Sequence, residues 1–138
     1  MQTERASALI VMLMDDLLIG ADLQDSLESL GHRVSKILTN GSETQQIGSD
    51  VDVVLIDLEI HEGPDVLRVG KEIAARGAAA VVYLADNDAQ VERVKKEAKE
   101  SGWVKWPFHP AHLDFEVRLA FEARAARLRA GALEPQPA

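Results

Sequence analysis

Apolar residues occur in five short runs along the chain, and helical periodicity fills most of the stretches between them. The runs cover residues 8–14, 34–38, 51–57, 79–85 and 103–106. Each run has the length of a β-strand and carries few polar residues, which is typical of strands buried on both faces. Between the first two runs Ile19, Leu23, Leu27 and Leu30 recur at helical spacing, and Gly31 marks the end of that helix.

This alternation of strand and helix predicts an α/β domain, in which helices cover both faces of a parallel sheet. Right-handed crossovers leave few topologies, and the commonest for five strands is the flavodoxin-like order 2-1-3-4-5. The segment of residues 39–50 is polar, contains Gly41 and Gly48, and leaves room for at most about two helical turns. We expect one domain over residues 1–130, followed by a disordered tail over residues 131–138.

Composition narrows the range of functions. The 138 residues suffice for one sizeable core, and a formal net charge of −8 disfavours a surface for nucleic acid or anionic lipid. The chain has no cysteine, which excludes disulfides, thiolate metal sites and cysteine nucleophiles. The first apolar run is too short to span a membrane, and its flanks differ from those of a secretory signal. We therefore expect a cytoplasmic protein with no nucleic-acid or membrane partner.

Acidic residues close two of the apolar runs. Asp57 ends the third run, and Asp15 and Asp16 follow the first. Parallel α/β sheets place their ligand sites beyond the carboxyl ends of adjacent strands, so these carboxylates converge if the two strands are neighbours. An ionised acid at the end of a buried strand is costly without a partner, which makes Asp57 the leading candidate for a functional residue.

Three segments carry residue patterns that occur together in one known family. They are residues 16–34, with an amphipathic helix that ends at Gly31; residues 53–57, a strand that ends in Asp57; and residues 102–108, which run from a glycine and an aromatic residue to Pro107-Phe108. With these segments the chain resembles the receiver domains of bacterial response regulators from about residue 8 to 128. The resemblance implies that Asp57 accepts a phosphoryl group from a phosphohistidine of a partner kinase, with Mg²⁺ neutralising charge.

The resemblance also implies a set of Mg²⁺ ligands, and one of them is changed. Asp15, Asp57 and the backbone carbonyl of Glu59 fall on ligand positions, whereas Met14 occupies the second acidic position of the family. A thioether cannot replace an oxygen ligand of this hard ion, so we expect at most weak binding. Asp16 lies just outside the aligned position, and two roles stay open for it: a replacement ligand or the N-cap of the first helix.

Two further positions depart from the family. Ala85 stands where the family has a hydroxyl residue, and alanine cannot donate a hydrogen bond to a phosphoryl oxygen. Trp106 stands where the family has a lysine, which removes a charge-assisted hydrogen bond. Lys105 comes one residue earlier, and the alternation of a strand directs it to the opposite face unless a bulge intervenes.

The two tryptophans carry separate expectations. The family's bond before the equivalent of Pro107 is usually cis, so we expect a cis Trp106–Pro107 bond. An indole at position 106 is expected beside Asp57, where it would raise the pKa of that carboxyl by excluding water. Trp103 falls on the family's switch-ring position, but because Ala85 breaks the coupling to a phosphoryl group, partly buried packing is favoured.

Other reaction types lack the residues they need. His32, His109 and His112 show no zinc-ligand spacing, and His61 lies four residues from Asp57 where a cobalamin-binding loop needs two. Neither a Ser-His-Asp set nor a glycine-rich phosphate loop is visible, so we do not expect an enzyme.

We therefore expect a stand-alone, atypical receiver-like module of a two-component or phosphorelay system. It would act mainly through protein–protein interaction, with phosphorylation of Asp57 weakened or lost. The alternative is a phospho-accepting single-domain response regulator that uses Asp57 and Mg²⁺. The expected partner is a histidine kinase or another signalling protein, and the expected surface is the fourth helix, fifth strand and fifth helix. The last helix, with Leu113, Val117 and Phe121, also offers a surface for a homodimer.

Overall fold

The computed structural model describes residues 7–133, which form one parallel sheet with helices on both faces. The strands are Leu9–Leu13 (β1), Arg33–Leu38 (β2), Val53–Asp57 (β3), Ala80–Ala85 (β4) and Gly102–Lys105 (β5). The α-helices are Leu17–Ser29 (α1), Val66–Ala75 (α2), Asp88–Glu97 (α3) and Pro110–Leu133 (α4). All strand pairs are parallel and their order is β2-β1-β3-β4-β5, which confirms the predicted flavodoxin-like topology.

The segment between β2 and β3 is the one place where a strand is not followed by an α-helix. It holds a 3₁₀-helix, Gly41–Gln46, which begins where the Asn40 side chain accepts a hydrogen bond from the Ser42 N–H at 2.9 Å. Polar residues and two glycines cannot supply the apolar stripe that would bind an α-helix to the sheet. The predicted fourth and fifth helices are therefore α3 and α4.

The sheet separates two apolar clusters, and the alternation of side chains along each strand supplies both. In β3, Val54 and Ile56 contact the cluster on the α2 and α3 side, whereas Val53 and Leu55 contact the cluster on the α1 and α4 side. This two-sided burial explains the nearly continuous apolar runs of the sequence. Burial of such runs is the main force that holds the helices on the sheet.

A hydroxyl group inside the α2-side cluster is satisfied by a close helix. Tyr83 of β4 is fully buried, and its hydroxyl donates to the Leu67 carbonyl of α2 at 3.0 Å. The approach requires Gly70, because a β-carbon there would overlap that hydroxyl and come within 2.9 Å of the Ile56 δ-methyl. Burial also raises the pKa of Tyr83, so the phenol stays neutral.

His32 joins the turn after α1 to helix α4. Its Nδ1 accepts a hydrogen bond from the Ala8 N–H at 3.0 Å, so Nε2 carries the proton and faces Asp114 Oδ1 at 2.6 Å. Arg118 donates to the same carboxylate at 2.9 Å and to the Leu30 carbonyl at 2.8 Å. His32 is thus a buried structural residue with both nitrogens bonded.

Helix α4 continues beyond the buried part of the domain. Its early residues Leu113 and Val117 are buried in the core, whereas the residues 126–131 are all exposed. The helix ends at Leu133, three residues past the predicted domain boundary, and the rest of the predicted tail lies outside the described residues. Within residues 7–133, none of the helices combines the length and apolar character needed to cross a bilayer.

Candidate functional site

Two of the three acids expected to converge, Asp15 and Asp57, lie close together at the carboxyl end of the sheet. Strand β1 pairs directly with β3, so Asp15 and Asp57 follow neighbouring strands, as predicted. Asp57 is only 7% exposed, and its Oδ1 accepts a hydrogen bond from the Glu59 N–H at 3.0 Å. Asp15 is exposed at the rim. The centre therefore consists of one buried carboxylate below an open acidic edge.

Burial raises the pKa of Asp57 to about 6, because it removes water from the ionised carboxylate. The hydrogen bond from the Glu59 N–H lowers it, while the negative charges of Asp15, Asp86 and Glu59 raise it further. At neutral pH a carboxyl with this pKa is still mostly ionised. A raised pKa of Asp57 was expected from the sequence, and its causes in the fold are burial and the neighbouring carboxylates.

Asp86 belongs to this centre and was not singled out from the sequence. It follows β4, the strand next to β3, and it is exposed beside Asp57. The signal was present, because Asp86 closes the fourth apolar run just as Asp15 closes the first. Strand order was needed to show that β4 lies next to β3.

Gln90 of α3 connects the loops after β3 and β4. Its Nε2 donates to Glu59 Oε1 at 2.6 Å, and its Oε1 accepts from the Asp86 N–H at 2.6 Å. On the surface nearby, the guanidinium of Arg93 binds the carboxylate of Asp65, the N-cap of α2, and lowers its pKa. The sequence predicts neither the Gln90 contacts nor the Arg93–Asp65 pair, because a glutamine or an arginine on a surface helix gives no signal by itself.

Met14 and Asp16, the two uncertain positions near Asp15, have separate structural roles. Met14 is buried, and its sulfur lies against Gly20 of α1, so the side chain belongs to the core. Asp16 caps α1, because its Oδ1 accepts a hydrogen bond from the Ile19 N–H at 3.1 Å. Of the two roles left open for Asp16, the geometry shows the cap.

The roles of Met14 and Asp16 affect how well the acidic rim could bind a cation. The oxygen donors of Asp15, Asp57 and Glu59 are of the type that Mg²⁺ prefers. However, among residues 7–133 no three acidic or histidine side chains gather in a metal-binding group. With Met14 in the core and Asp16 used as a cap, the oxygen donors left for a cation at this rim are Asp15, Asp57 and the Glu59 carbonyl.

The positions for which the resemblance implies a hydroxyl residue and a lysine are Ala85 and Trp106 in this chain. Ala85 is fully buried, and its backbone carbonyl accepts from the Trp106 N–H at 2.9 Å. Lys105 is paired in register with Ala85 and is exposed. Its Nζ lies 2.6 Å from Asp88 Oδ1 in the first turn of α3. Lys105 thus holds a helix end, and its ammonium lowers the pKa of Asp88.

Both tryptophans serve as packing residues. Trp106 packs against Phe108, with ring centroids 4.2 Å apart and ring planes tilted by 43°, and it borders the cluster on the α1 and α4 side. Its bond to Pro107 is cis, which confirms that expectation. Trp103 borders the opposite cluster and has Lys95 Nζ 5.6 Å above its ring. The partly buried packing favoured for Trp103 is what the structure shows.

Comparisons with known proteins agree with the topology. No protein-family model matches the sequence, and a search of curated proteins gives no match. Among solved structures, the fold is similar to the signal receiver domain of a modulated diguanylate cyclase from Desulfovibrio desulfuricans G20. That match has a TM-score of 0.76 and 21% identity, and it covers 88% of this chain and 99% of the other.

Two further receiver domains match over most of their length. The response regulator receiver domain protein (CheY-like) from Methanospirillum hungatei JF-1 has a TM-score of 0.71 and 15% identity, with coverage of 88% of this chain and 99% of that one. The response regulator receiver protein from Burkholderia phymatum has a TM-score of 0.69 and 22% identity, with coverage of 83% and 95%. At such identities the likeness concerns the fold. The chain has the fold of a response-regulator receiver domain.

Proposed function

We propose that this protein is an atypical receiver-like signalling module that acts mainly by binding another protein. In this proposal, phosphorylation of Asp57 is weakened or lost. The supporting observation is what surrounds that acid. Met14 lies in the core, Ala85 offers no hydroxyl, and Lys105 pairs with Asp88 of α3, while Trp106 packs against Phe108.

The changed residues matter because of what phosphoryl transfer requires of a site. The step depends on positioning and on neutralising the charge of the transferred group. Around Asp57, the neighbouring charges that act on its pKa are the carboxylates of Asp15, Asp86 and Glu59. An incoming phosphoryl group adds negative charge to this set. Without the lysine and hydroxyl of the family, a phosphorylated Asp57 would have few groups to stabilise it.

The alternative is a module that still accepts phosphate on Asp57. Its support is that Asp57 is buried, held in place by the Glu59 N–H, and mostly ionised at neutral pH. Asp15, Asp57 and the backbone carbonyl of Glu59 would hold Mg²⁺, which when bound would supply positive charge to the transferred group. The incomplete ligand set makes that binding weak, and for this reason we place this function second.

Signalling through a protein surface requires a partner. We infer that a histidine kinase or another signalling protein binds the surface formed by α3, β5 and α4. Exposed apolar side chains on α4 support this choice, with Phe115 60% and Leu119 54% exposed. A non-enzymatic role, a cytoplasmic location and the lack of a nucleic-acid partner remain predictions from composition and motifs.

Binding of a phosphoryl mimic tests the proposal directly. We would titrate Mg²⁺ and then beryllofluoride, and follow tryptophan fluorescence in the natural chain and in Asp57→Asn. The expected result is no saturable change up to millimolar Mg²⁺ and beryllofluoride in either chain. A saturable response that Asp57→Asn abolishes would refute the loss of phosphoryl chemistry and favour the alternative.

Restoring the family residues gives a matched comparison. The variant Ala85→Ser/Trp106→Lys would be labelled with acetyl phosphate beside the natural chain, with thermal unfolding to check that both are folded. We expect stronger Asp57-dependent labelling in the variant, because a hydroxyl and an ammonium return near the acid. Equal and strong labelling of both folded chains would show that the changed positions do not weaken the site.

A further inference from the structure

A cleft of about 880 Å³ opens at the amino end of the sheet, and we name it the lower cleft. The first residues of β4 and β5 form its floor. Because Asp57 pairs in register with Leu84, the acidic centre lies about 13 Å further along β4 than Ala80, which lines the cleft. The lower cleft is therefore separate from the acidic centre. Its volume falls in the range of about 300 to 1,000 Å³ that is usual for ligand pockets.

The lower cleft exists because neighbouring elements differ in length. The first residue of β5, Gly102, pairs with Val82, so the first two residues of β4 extend beyond the start of β5. Helix α4 continues past the same edge and forms one wall, and the end of α2 contributes Ala74 and Ala75 to another. Side chains as small as these leave the space beside β4 open.

Part of the lower cleft is apolar and has a flat side. The indole of Trp103 in β5 lines it, and Lys95 Nζ lies over that ring at 5.6 Å from the centroid. From α4, Leu119, Ala120 and Ala123 line the opposite wall. An aromatic ring beside small aliphatic side chains is a surface that suits a flat, apolar ligand body.

Three cationic side chains also line the lower cleft, and each comes from a different part of the fold. Lys71 belongs to α2, Lys99 to the loop after α3, and Arg127 to α4. All three are exposed. Within residues 7–133, none of their side chains has an acidic partner or a hydrogen bond. Their charges are thus available to a ligand.

Three acids line the same space, and two of them have a basic neighbour. Glu97 accepts a hydrogen bond from Arg93 Nε at 2.9 Å, and Glu116 lies 3.8 Å from His112 Nε2. Glu100 is exposed on the loop after α3. Three unpaired cations therefore accompany one unpaired acid, and this balance favours a ligand with a negative charge.

We propose that the lower cleft binds a small organic anion with a flat aromatic body, of the class of the aromatic carboxylates. The anionic group pairs with Lys99 and Arg127, and the ring packs against Trp103. This binding goes beyond the proposed signalling role and does not require Asp57, so either can fail without the other. The net charge of −8 repels anions in general, so a preference for an anion must come from the cleft itself.

Three naphthalene probes that differ in charge test the proposed ligand class. Naphthoate, naphthylmethanol and naphthylmethylammonium would be titrated into the full chain and followed in two-dimensional amide NMR spectra. We expect naphthoate to bind with a Kd of about 1 mM or tighter, the affinity usual for a ligand of its size. It should bind at least about threefold more tightly than the other two probes. The absence of saturable shifts at tens of millimolar naphthoate, or equal or tighter binding of either other probe, would overturn the proposal.

The two tryptophans show where the probe binds. Trp103 lines the lower cleft, whereas Trp106 follows β5 at the opposite end and packs against Phe108. Naphthoate should shift the indole N–H signal of Trp103 and leave that of Trp106 in place. The variant Trp106→Phe assigns the two signals. A shift confined to Trp106 would place the probe at the carboxyl end of the sheet and contradict the proposed site.

Two matched pairs of variants on α4 test the lining residues. Ala123→Leu fills the cleft and should weaken naphthoate binding at least about tenfold, whereas Ala126→Leu, at an exposed position outside it, should not. Arg127→Gln removes one cation and should weaken binding about threefold to fivefold, whereas Arg129→Gln should not. Thermal unfolding checks that each variant is folded, and the arginine pair decides the question if Ala123→Leu does not fold. Equal affinities of the lining and control variants would overturn the assignment of the site.

Discussion

His32 and Asp57 are the two buried polar or charged residues of the described chain, and their surroundings differ sharply. His32 has both ring nitrogens engaged, one with the Ala8 N–H and one with Asp114. Asp57 has one hydrogen bond from the Glu59 N–H and three neighbouring carboxylates that raise its pKa. His32 is therefore a buried polar group that its partners satisfy and that stabilises the fold. Asp57 is a buried acid whose ionised form lowers the stability of the folded protein.

Like His32, the Tyr83 hydroxyl is buried with its hydrogen bond satisfied. Gly70→Ala tests how closely helix α2 packs against this hydroxyl. The added methyl group would overlap the Tyr83 hydroxyl, so we expect a loss of about 3 kcal/mol in the free energy of unfolding. Urea denaturation measures it. Gly131→Ala is the control, because no atom lies within 4 Å of its new β-carbon and alanine favours a helix.

A double variant shows whether the overlap is the cause. Adding Tyr83→Phe to Gly70→Ala removes the obstructing hydroxyl, although it also removes the hydrogen bond to Leu67. We expect the two changes together to cost less than the sum of the single changes. Strict additivity would mean that the glycine is required for another reason.

His32→Ala tests how much the buried histidine with both ring nitrogens bonded contributes to stability. It leaves the buried Ala8 N–H without a partner and removes one of the two hydrogen bonds of the Asp114 carboxylate, which keeps its bond to Arg118, and we expect a loss of about 2 kcal/mol. Chemical denaturation at neutral pH measures it. His61→Ala should change stability by less than about 0.5 kcal/mol, because the His61 side chain is 79% exposed. Equal effects would remove the distinction between a structural and a surface histidine.

Asp57→Asn tests the buried acid, and we expect this variant to be more stable than the natural chain. The pKa of Asp57 in the folded protein is about 6, above its ordinary value of 3.8, so ionisation favours the unfolded chain. The cost is absent below pH 4, grows between pH 4 and 6, and is full above pH 6. A shift of this size corresponds to at most about 3 kcal/mol. Asparagine removes the charge and can still accept the Glu59 N–H.

Urea denaturation of Asp57→Asn and the natural chain across pH 3.5 to 8 measures this effect. We expect the variant to be more stable at pH 8 and the two chains to converge below pH 4. A natural chain that is the more stable one at pH 8, without added divalent cation, would show that Asp57 has a stabilising partner there.

The smallest expected effect concerns Lys105. Because its ammonium pairs with Asp88 on an exposed surface, Lys105→Ala should leave the stability nearly unchanged. It should also leave the pH profile of stability above pH 5 as it is in the natural chain. A profile that moves by half a unit or more in this range would place Lys105 close enough to Asp57 to act on it.

The sequence by itself determined the sheet and the residue at its centre. Nearly continuous apolar runs require a parallel sheet covered on both faces, and the handedness of crossovers leaves few strand orders. The same pattern placed Asp57 at a strand end beside Asp15. Even the weak stretch between β2 and β3 could be predicted, since a polar segment with two glycines cannot hold a long helix on the sheet.

The tertiary structure decided which neighbours each polar group has. Asp16 became a helix cap, Asp86 joined the acidic rim, and Gln90 connected two loops, because the folded backbone sets these distances. It also decided which face of α4 is covered, so that Val117 lies in the core and Phe115 lies outside. Periodicity identifies an apolar stripe on a helix, but only the packed sheet determines which stripe it contacts.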